Sequence, residues 1–385
     1  MENDSKGPMK KTIPVCRPWL PGNEKKYVLD ALETNWISSS GKYINKFEEK
    51  FSKYCGAKYG ISCSSGFGAL HLACSALELK KGDEVIMPTF TMIAPTNAIM
   101  LTGAKPVLVD SDKETHCIDV DKIEEKITDK TKAIMPVHIY GHPCDMDKIM
   151  EIAKKHDLYV IEDCAEAHGA EYKGRKVGSL GHVGCFSFYA NKILTTGEGG
   201  MCLTNIPELA EKMKRLRNHA FDFPRFTHNE MGFNYRLTNL QAAIGVAQTE
   251  NAEMLVKARK DIGKRYHEKL KDIPGLILPV EKDYAKNVYW MYGIILSKEI
   301  KMSKEEVMTE LGEKGIDTRS FFIPMHKQPL LLKKVIENAP DCGGNFPVAE
   351  FIGERGLLLP SSSDLTDDEI DTVVNALKDV LQNKK

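Results

Sequence analysis

Between residues 84 and 162 the chain alternates in a pattern that few folds can accommodate. Apolar runs of strand length at 84–87, 106–109, 133–139 and 158–162 are separated by helical stretches at 94–101, 119–127 and 145–156. Strands joined through helices pair in parallel, because each helix carries the chain back to the starting edge of the sheet, and the helices cover both faces. The expected fold class is α/β, with a mostly parallel central sheet, helices on both faces and a smaller α+β domain. At 385 residues the chain exceeds the size at which one core usually stops growing. We place the large α/β domain at 13–250, with an N-terminal segment contributing to the smaller domain, and the smaller α+β domain at 251–385. Further helices are expected at 22–34, 42–54, 207–218, 304–314 and 367–381, a long one from about 240 toward 270, and strands at 59–63 and 288–296.

The totals exclude several functions. A formal net charge of −1 gives no reason to expect a nucleic-acid or membrane partner, so any anionic ligand must be held by local groups. The ten cysteines are scattered without a C-x-x-C pair, and the start Met-Glu-Asn-Asp-Ser-Lys lacks an apolar core segment, so reduced thiols and a cytoplasmic location are expected. No apolar run reaches membrane-spanning length. His138 and His142, with Cys144 nearby, have a spacing that could suit a metal, but Gly141 and Pro143 favour a loop over a ligand-bearing helix, and no metal is expected.

Three local features carry chemistry. Ser64-Ser65-Gly66-Phe67-Gly68 runs directly into the apolar helical stretch from Ala69, leaving backbone N–H groups unpaired at the positive end of a helix dipole. Such a turn is a phosphate seat or, read plainly, an N-cap built from serine and glycine. Asp163 ends the apolar run 158–162, at the strand edge where ligands of parallel sheets gather. A carboxylate there needs a cation, such as a protonated pyridine nitrogen, unless it only caps the next segment. Lys192 lies between apolar runs at 185–189 and 201–204, where burial would lower its pKa and favour a nucleophilic amine. Alternatively it ends a strand and points into water. An anion seat, a pyridinium partner and an amine for an aldehyde are together what pyridoxal phosphate requires.

The wording of these motifs resembles the DegT/StrS family of pyridoxal-phosphate-dependent nucleotide-sugar aminotransferases, of fold type I, the aspartate-aminotransferase-like fold. The resemblance rests on Ile161-Glu162-Asp163-Cys164-Ala165-Glu166-Ala167-His168-Gly169, Phe186-Ser187-Phe188-Tyr189-Ala190-Asn191-Lys192, Thr195-Thr196-Gly197-Glu198-Gly199-Gly200 and Gly232-Phe233-Asn234-Tyr235-Arg236, and extends over nearly the whole chain. It implies that Lys192 binds the cofactor covalently, that Asp163 pairs with the ring nitrogen, and that Glu166 lies near the phenolic oxygen. Ser65, Gly66, Phe67 and Ser187 would hold the phosphate, and Met92 would lie at the ring where relatives commonly place an aromatic side chain. Phe67 stands where relatives commonly carry a threonine, so a hydroxyl contact is lost there. Asn234 would reach the cofactor of a neighbouring subunit, implying a homodimer with shared sites, while Trp36, Ser38, Ser39 and His326 would line the sugar-nucleotide entrance. The implied reaction moves the amino group of L-glutamate, leaving 2-oxoglutarate, to a nucleotide-linked keto sugar used for surface polysaccharide. Carbon 4 of GDP-4-keto-6-deoxymannose is the leading acceptor. UDP-, dTDP- or CMP-linked sugars, a 3-keto sugar, and a non-catalytic cofactor-binding protein are the alternatives. One branch of the family replaces the lysine with histidine and removes a hydroxyl group instead; Lys192 argues against it.

Overall fold

The structure is a computed structural model, and it describes residues 12–333 and 335–382. Its largest sheet contains β1 (Tyr59–Cys63), β2 (Glu84–Pro88), β3 (Lys105–Val109), β4 (Thr131–Ile134), β5 (Tyr159–Asp163), β6 (Val183–Ser187) and β7 (Gly200–Thr204). Their spatial order is β1-β7-β6-β5-β4-β2-β3. Only β7 runs against its neighbours, pairing antiparallel with β1 and β6. Every residue of β6 and β7 is buried, as expected where helices cover both faces of a parallel sheet. The α/β class and the mostly parallel sheet are as the alternation implied.

The helices around the first six strands are α1 (Glu24–Glu33), α2 (Lys42–Cys55), α3 (Gly66–Ala76), α4 (Ile93–Leu101) and α5 (Met146–Lys155). They are followed by α6 (Pro207–Leu216), α7 (Asn239–Glu250) and α8 (Ala252–Leu270). A second sheet has four antiparallel strands, β8 (Leu276–Ile277), β9 (Tyr292–Leu296), β10 (Arg319–Ser320) and β11 (Gly356–Leu359), in the order β8-β9-β11-β10. One face of it packs with α8, α9 (Lys304–Glu313) and the last helix, Asp367–Gln382, around Tyr266, Tyr292, Leu311, Leu357 and Leu377. The larger core fills the first sheet from Phe47 and Ile61 through Val160 to Leu203.

Several expected boundaries move, for local reasons. The run 133–139 forms a strand only to Ile134, because Pro136 has no N–H to continue the ladder. Beyond it the backbone keeps a single parallel bridge from Val137 to Asp163 and then turns through 139–141. Residues 119–127 form two 3₁₀ turns rather than an α-helix, and the Asp119 side chain accepts from the Asp121 amide at 3.2 Å, tightening the first turn. The long helix expected from 240 to 270 is broken at Asn251, whose side chain donates back to the Ala247 carbonyl at 2.9 Å. The strand expected over 288–296 begins only at Tyr292. Within the irregular stretch 220–231, Phe221–Asp222 pairs with Thr227–His228.

Glu162 ties β5 to the turn before β6. Its Oε1 accepts from the amides of Leu180 and Gly181 at 2.8 and 2.7 Å, and its Oε2 from Gly178 at 2.9 Å and His138 Nε2 at 3.1 Å. Burial alone would push this carboxyl up, but the His138 hydrogen bond and the amides outweigh it and hold the group below the ordinary carboxylate range. Its contribution to stability is therefore present above the unfolded-state pKa and lost as pH falls through the folded-state value. Glu162→Gln presents an N–H to amides that themselves donate, and it is expected to cost roughly 2–4 kcal/mol. The midpoint of urea unfolding at pH 7 measures this loss. The difference from the wild type should shrink toward pH 4.

Candidate active site

The chemistry collects at the carboxyl edge of β1, β5 and β6. Leaving β1, the chain passes through Ser64 and Ser65 into α3, and Ser65 Oγ caps the helix by accepting from Gly68 N at 3.0 Å. The first amides of a helix have no intrahelical acceptor, so those of Gly66 and Phe67 face forward with the dipole behind them. A Cβ on Gly66 would fall 2.5 Å from Ser187 Cβ, so only glycine lets the start of α3 meet the end of β6. Plain N-cap and anion seat are thus the same turn: the serine oxygen satisfies one amide and leaves two.

β5 and β6 are adjacent and parallel, with Asp163 in register with Cys185. Asp163 Oδ1 accepts from Ala165 N at 3.0 Å. Burial pushes its pKa up, and the Ala165 amide, Lys192 and His138 pull against that. Glu166 Oε2 accepts from Tyr140 N at 2.7 Å. Burial raises this carboxyl to about 7, against the pull of Lys192 and the amide. Lys192 follows β6 on a turn closed by its own amide to the Tyr189 carbonyl at 2.9 Å. Burial pushes its amine below the ordinary lysine range, while Glu166, Asp163 and Cys16 oppose the fall. A lowered pKa favours the neutral, nucleophilic form of the amine.

These groups share one cavity of about 420 Å³, lined by Ser65, Gly66, Phe67, Met92, Asp163, Glu166, Ser187 and Lys192 among others. Met92 enters it half-exposed, with its sulfur accepting from Ala94 N at 3.0 Å, and Phe67 lies stacked against His71. Five expected residues lie outside this wall. His326 is 3% exposed and turned into the protein, bonded to Thr89 Oγ1 at 2.7 Å and Glu350 Oε1 at 3.2 Å and packed on Phe346, outside the lining of this cavity. Trp36, Ser38 and Ser39 are exposed, their backbone fixed by Asn239, which bonds the carbonyls of Trp36 and Ser38. Asn234 makes a bridge with Asn218.

Trp290, Arg319, Tyr189, Glu198 and Phe322 line the cavity without having been anticipated. Trp290 lies two residues before β9 and Arg319 opens β10, and nothing in their own neighbourhood in sequence signals a ligand. No carboxylate among the described residues pairs with Arg319. His138, Glu162 and Cys164 come close enough together to suit a metal ion. Glu162 already takes four hydrogen bonds, and His138 Nδ1 accepts from Cys144 N at 3.0 Å, which assigns the proton to Nε2. Cys144 Sγ donates to the Val137 carbonyl at 3.1 Å and His142 Nδ1 bonds the Pro143 carbonyl at 2.7 Å. The cluster is a closed hydrogen-bond network.

The donor set fits pyridoxal phosphate. Two free amides and two serines would hold a phosphate, Asp163 would meet a ring N–H, and an amine of lowered pKa stands between them. The fold and the site are those of a pyridoxal-phosphate-dependent aminotransferase. Residues 20–378 match the DegT/DnrJ/EryC1/StrS aminotransferase family, and the chain belongs to it. It is 45% identical over 371 residues to the GDP-perosamine synthase of Caulobacter vibrioides, covering 96% of this chain and 98% of that protein. Identity to the GDP-perosamine synthase of Escherichia coli O157:H7 is 43% over 376 residues, covering 97% and 100%. Among solved structures, the PLP-form of the putative sugar aminotransferase Spr1654 from Streptococcus pneumoniae matches with a TM-score of 0.89 at 27% identity, over 97% of this chain and 99% of that one.

Proposed function

We propose that the protein transfers the amino group of L-glutamate to carbon 4 of GDP-4-keto-6-deoxymannose, giving 2-oxoglutarate and GDP-perosamine. The observation that carries this reading is the setting of Lys192, between Asp163 and Glu166, in a chain at least 43% identical to two GDP-perosamine synthases over nearly their full length. Pyridoxal phosphate, when bound, supplies the electron sink that lets an amino-bearing carbon lose a proton. The chain's own residues do the rest. Gly66, Phe67, Ser65 and Ser187 would hold the phosphate, Asp163 would face the ring nitrogen and favour its protonated form, and Lys192 Nζ would be the amine that anchors the cofactor's aldehyde and carries a proton at the substrate carbon. Glu166, whose carboxyl burial raises to about 7, would lie near the phenolic oxygen and could share a hydrogen with it. Arg319, with no carboxylate partner among the described residues, would meet the anionic end of each substrate in turn.

In this reading the protein is a homodimer in which Asn234 reaches the cofactor of the partner subunit, and Trp36, Ser38 and Ser39 line the sugar-nucleotide entrance; all four lie outside their own chain's cavity. His326, buried behind the wall, acts in this reading by fixing Thr89 and Glu350 and not by touching the sugar. The ten scattered cysteines, with no C-x-x-C pair, support a cytoplasmic location; no helix among the described residues is long and apolar enough to cross a membrane.

Incubation with L-glutamate and a panel of GDP-, UDP-, dTDP- and CMP-linked keto sugars tests the assignment. 2-Oxoglutarate should appear with GDP-4-keto-6-deoxymannose; release only with another sugar would move the specificity, and no release with any would indicate a binding protein. Lys192→Ala should abolish both the visible absorbance of the bound cofactor and transamination, and an active yellow variant would sink the role given to Lys192. Gly66→Ala forces its new methyl against Ser187 and should weaken pyridoxal phosphate binding about 10- to 100-fold, read by titrating cofactor-free protein.

A further inference from the structure

Lys192 Nζ lies 3.8 Å from the centre of the Trp290 ring. The indole is only 5% exposed and is fixed from two directions. Its Nε1 donates to the carbonyl of Asn191, the residue before the lysine, at 2.8 Å. Its own carbonyl accepts from Arg259 Nη1 at 2.8 Å. Arg259 is itself fully enclosed, bonded through Nε to Ser363 Oγ at 2.8 Å and through Nη2 to Cys16 Sγ at 3.3 Å. The ring is therefore held in place before any ligand arrives, and its face is aimed at the amine.

We propose that the face of Trp290 is the seat of the Lys192 ammonium, a positioning residue that holds the charged amine beside the reacting carbon whenever it is not covalently engaged. This rests on the reading of Lys192 as the working amine. The charged and titratable groups that face the amine are Asp163, Glu166, Cys16 and His168. The two carboxylates can accept an N–H hydrogen or take the proton outright. A π face attracts the positive charge but has no lone pair to receive a proton. Parked there, the ammonium keeps its N–H bonds available to the substrate carbon. Burial pushes the amine toward its neutral form, and the indole works against that push.

Fluorination of tryptophan drains the π face with little change of shape, so a series of mono-, di- and trifluorotryptophan placed at position 290 of the full-length, cofactor-free protein separates electronic from structural roles. The ¹⁹F resonance of the monofluoro protein should show a titration step that is missing when Lys192→Met is added. The apparent pKa of Lys192, read from the pH dependence of pyridoxal phosphate capture, should fall stepwise along the series by up to about one unit. Because the neutral amine attacks the aldehyde carbon and water leaves, capture below that pKa should accelerate several-fold. A merely structural ring would leave the pKa in place and slow capture. An unchanged pKa across the series, or a ¹⁹F profile indifferent to Lys192→Met, overturns the proposal. Full capture by the Lys192→Met protein, with the wild-type absorbance change, would instead overturn the role of Lys192 itself.

Discussion

Asp163, Glu166 and Lys192 could not be buried singly, since taking one charge out of water costs several kcal/mol even after the surroundings relax. Together they offset one another: the carboxylates raise the affinity of the amine for a proton, and the amine lowers theirs. The offset is incomplete, and that is the useful part. Burial still raises Glu166 to about 7 and leaves the amine below its ordinary range, so the charged forms are less favoured here than in a solvated ion pair. The closed network of Glu162 and His138, one residue from Asp163, shows the opposite arrangement, in which every lone pair is engaged and nothing is left for a ligand.

The sheet makes this convergence possible. Because β5 and β6 are parallel neighbours, Asp163 and Ser187 emerge at the same edge, and the absent side chain of Gly66 lets the start of α3 close against Ser187. The strand and helix periods revealed the order of elements, and the short runs around Asp163, Ser187 and Lys192 revealed this half of the cavity, because each lies within a few residues of its own strand end. Boundaries at Pro136, Asp119 and Asn251 depended on single hydrogen bonds or a missing N–H, which periodicity does not register. Trp290, in the bend before β9, and Arg319, in β10, reach the cavity only through tertiary packing, which their local sequence does not register. His326 shows the converse: a motif match fixed its place in the chain, while its neighbours Thr89, Glu350 and Phe346 fixed where its ring points.

The reversal of β7 has a consequence for traffic through the cavity. The segment bearing Lys192 leaves one buried strand and returns as the next, its neck fastened by Phe188 N to Gly199 O at 2.8 Å and Thr196 N to Phe188 O at 2.9 Å. A loop fastened at both ends in this way holds the backbone of Lys192 between two buried strands, so whatever enters the cavity meets an amine that moves through its own side-chain torsions.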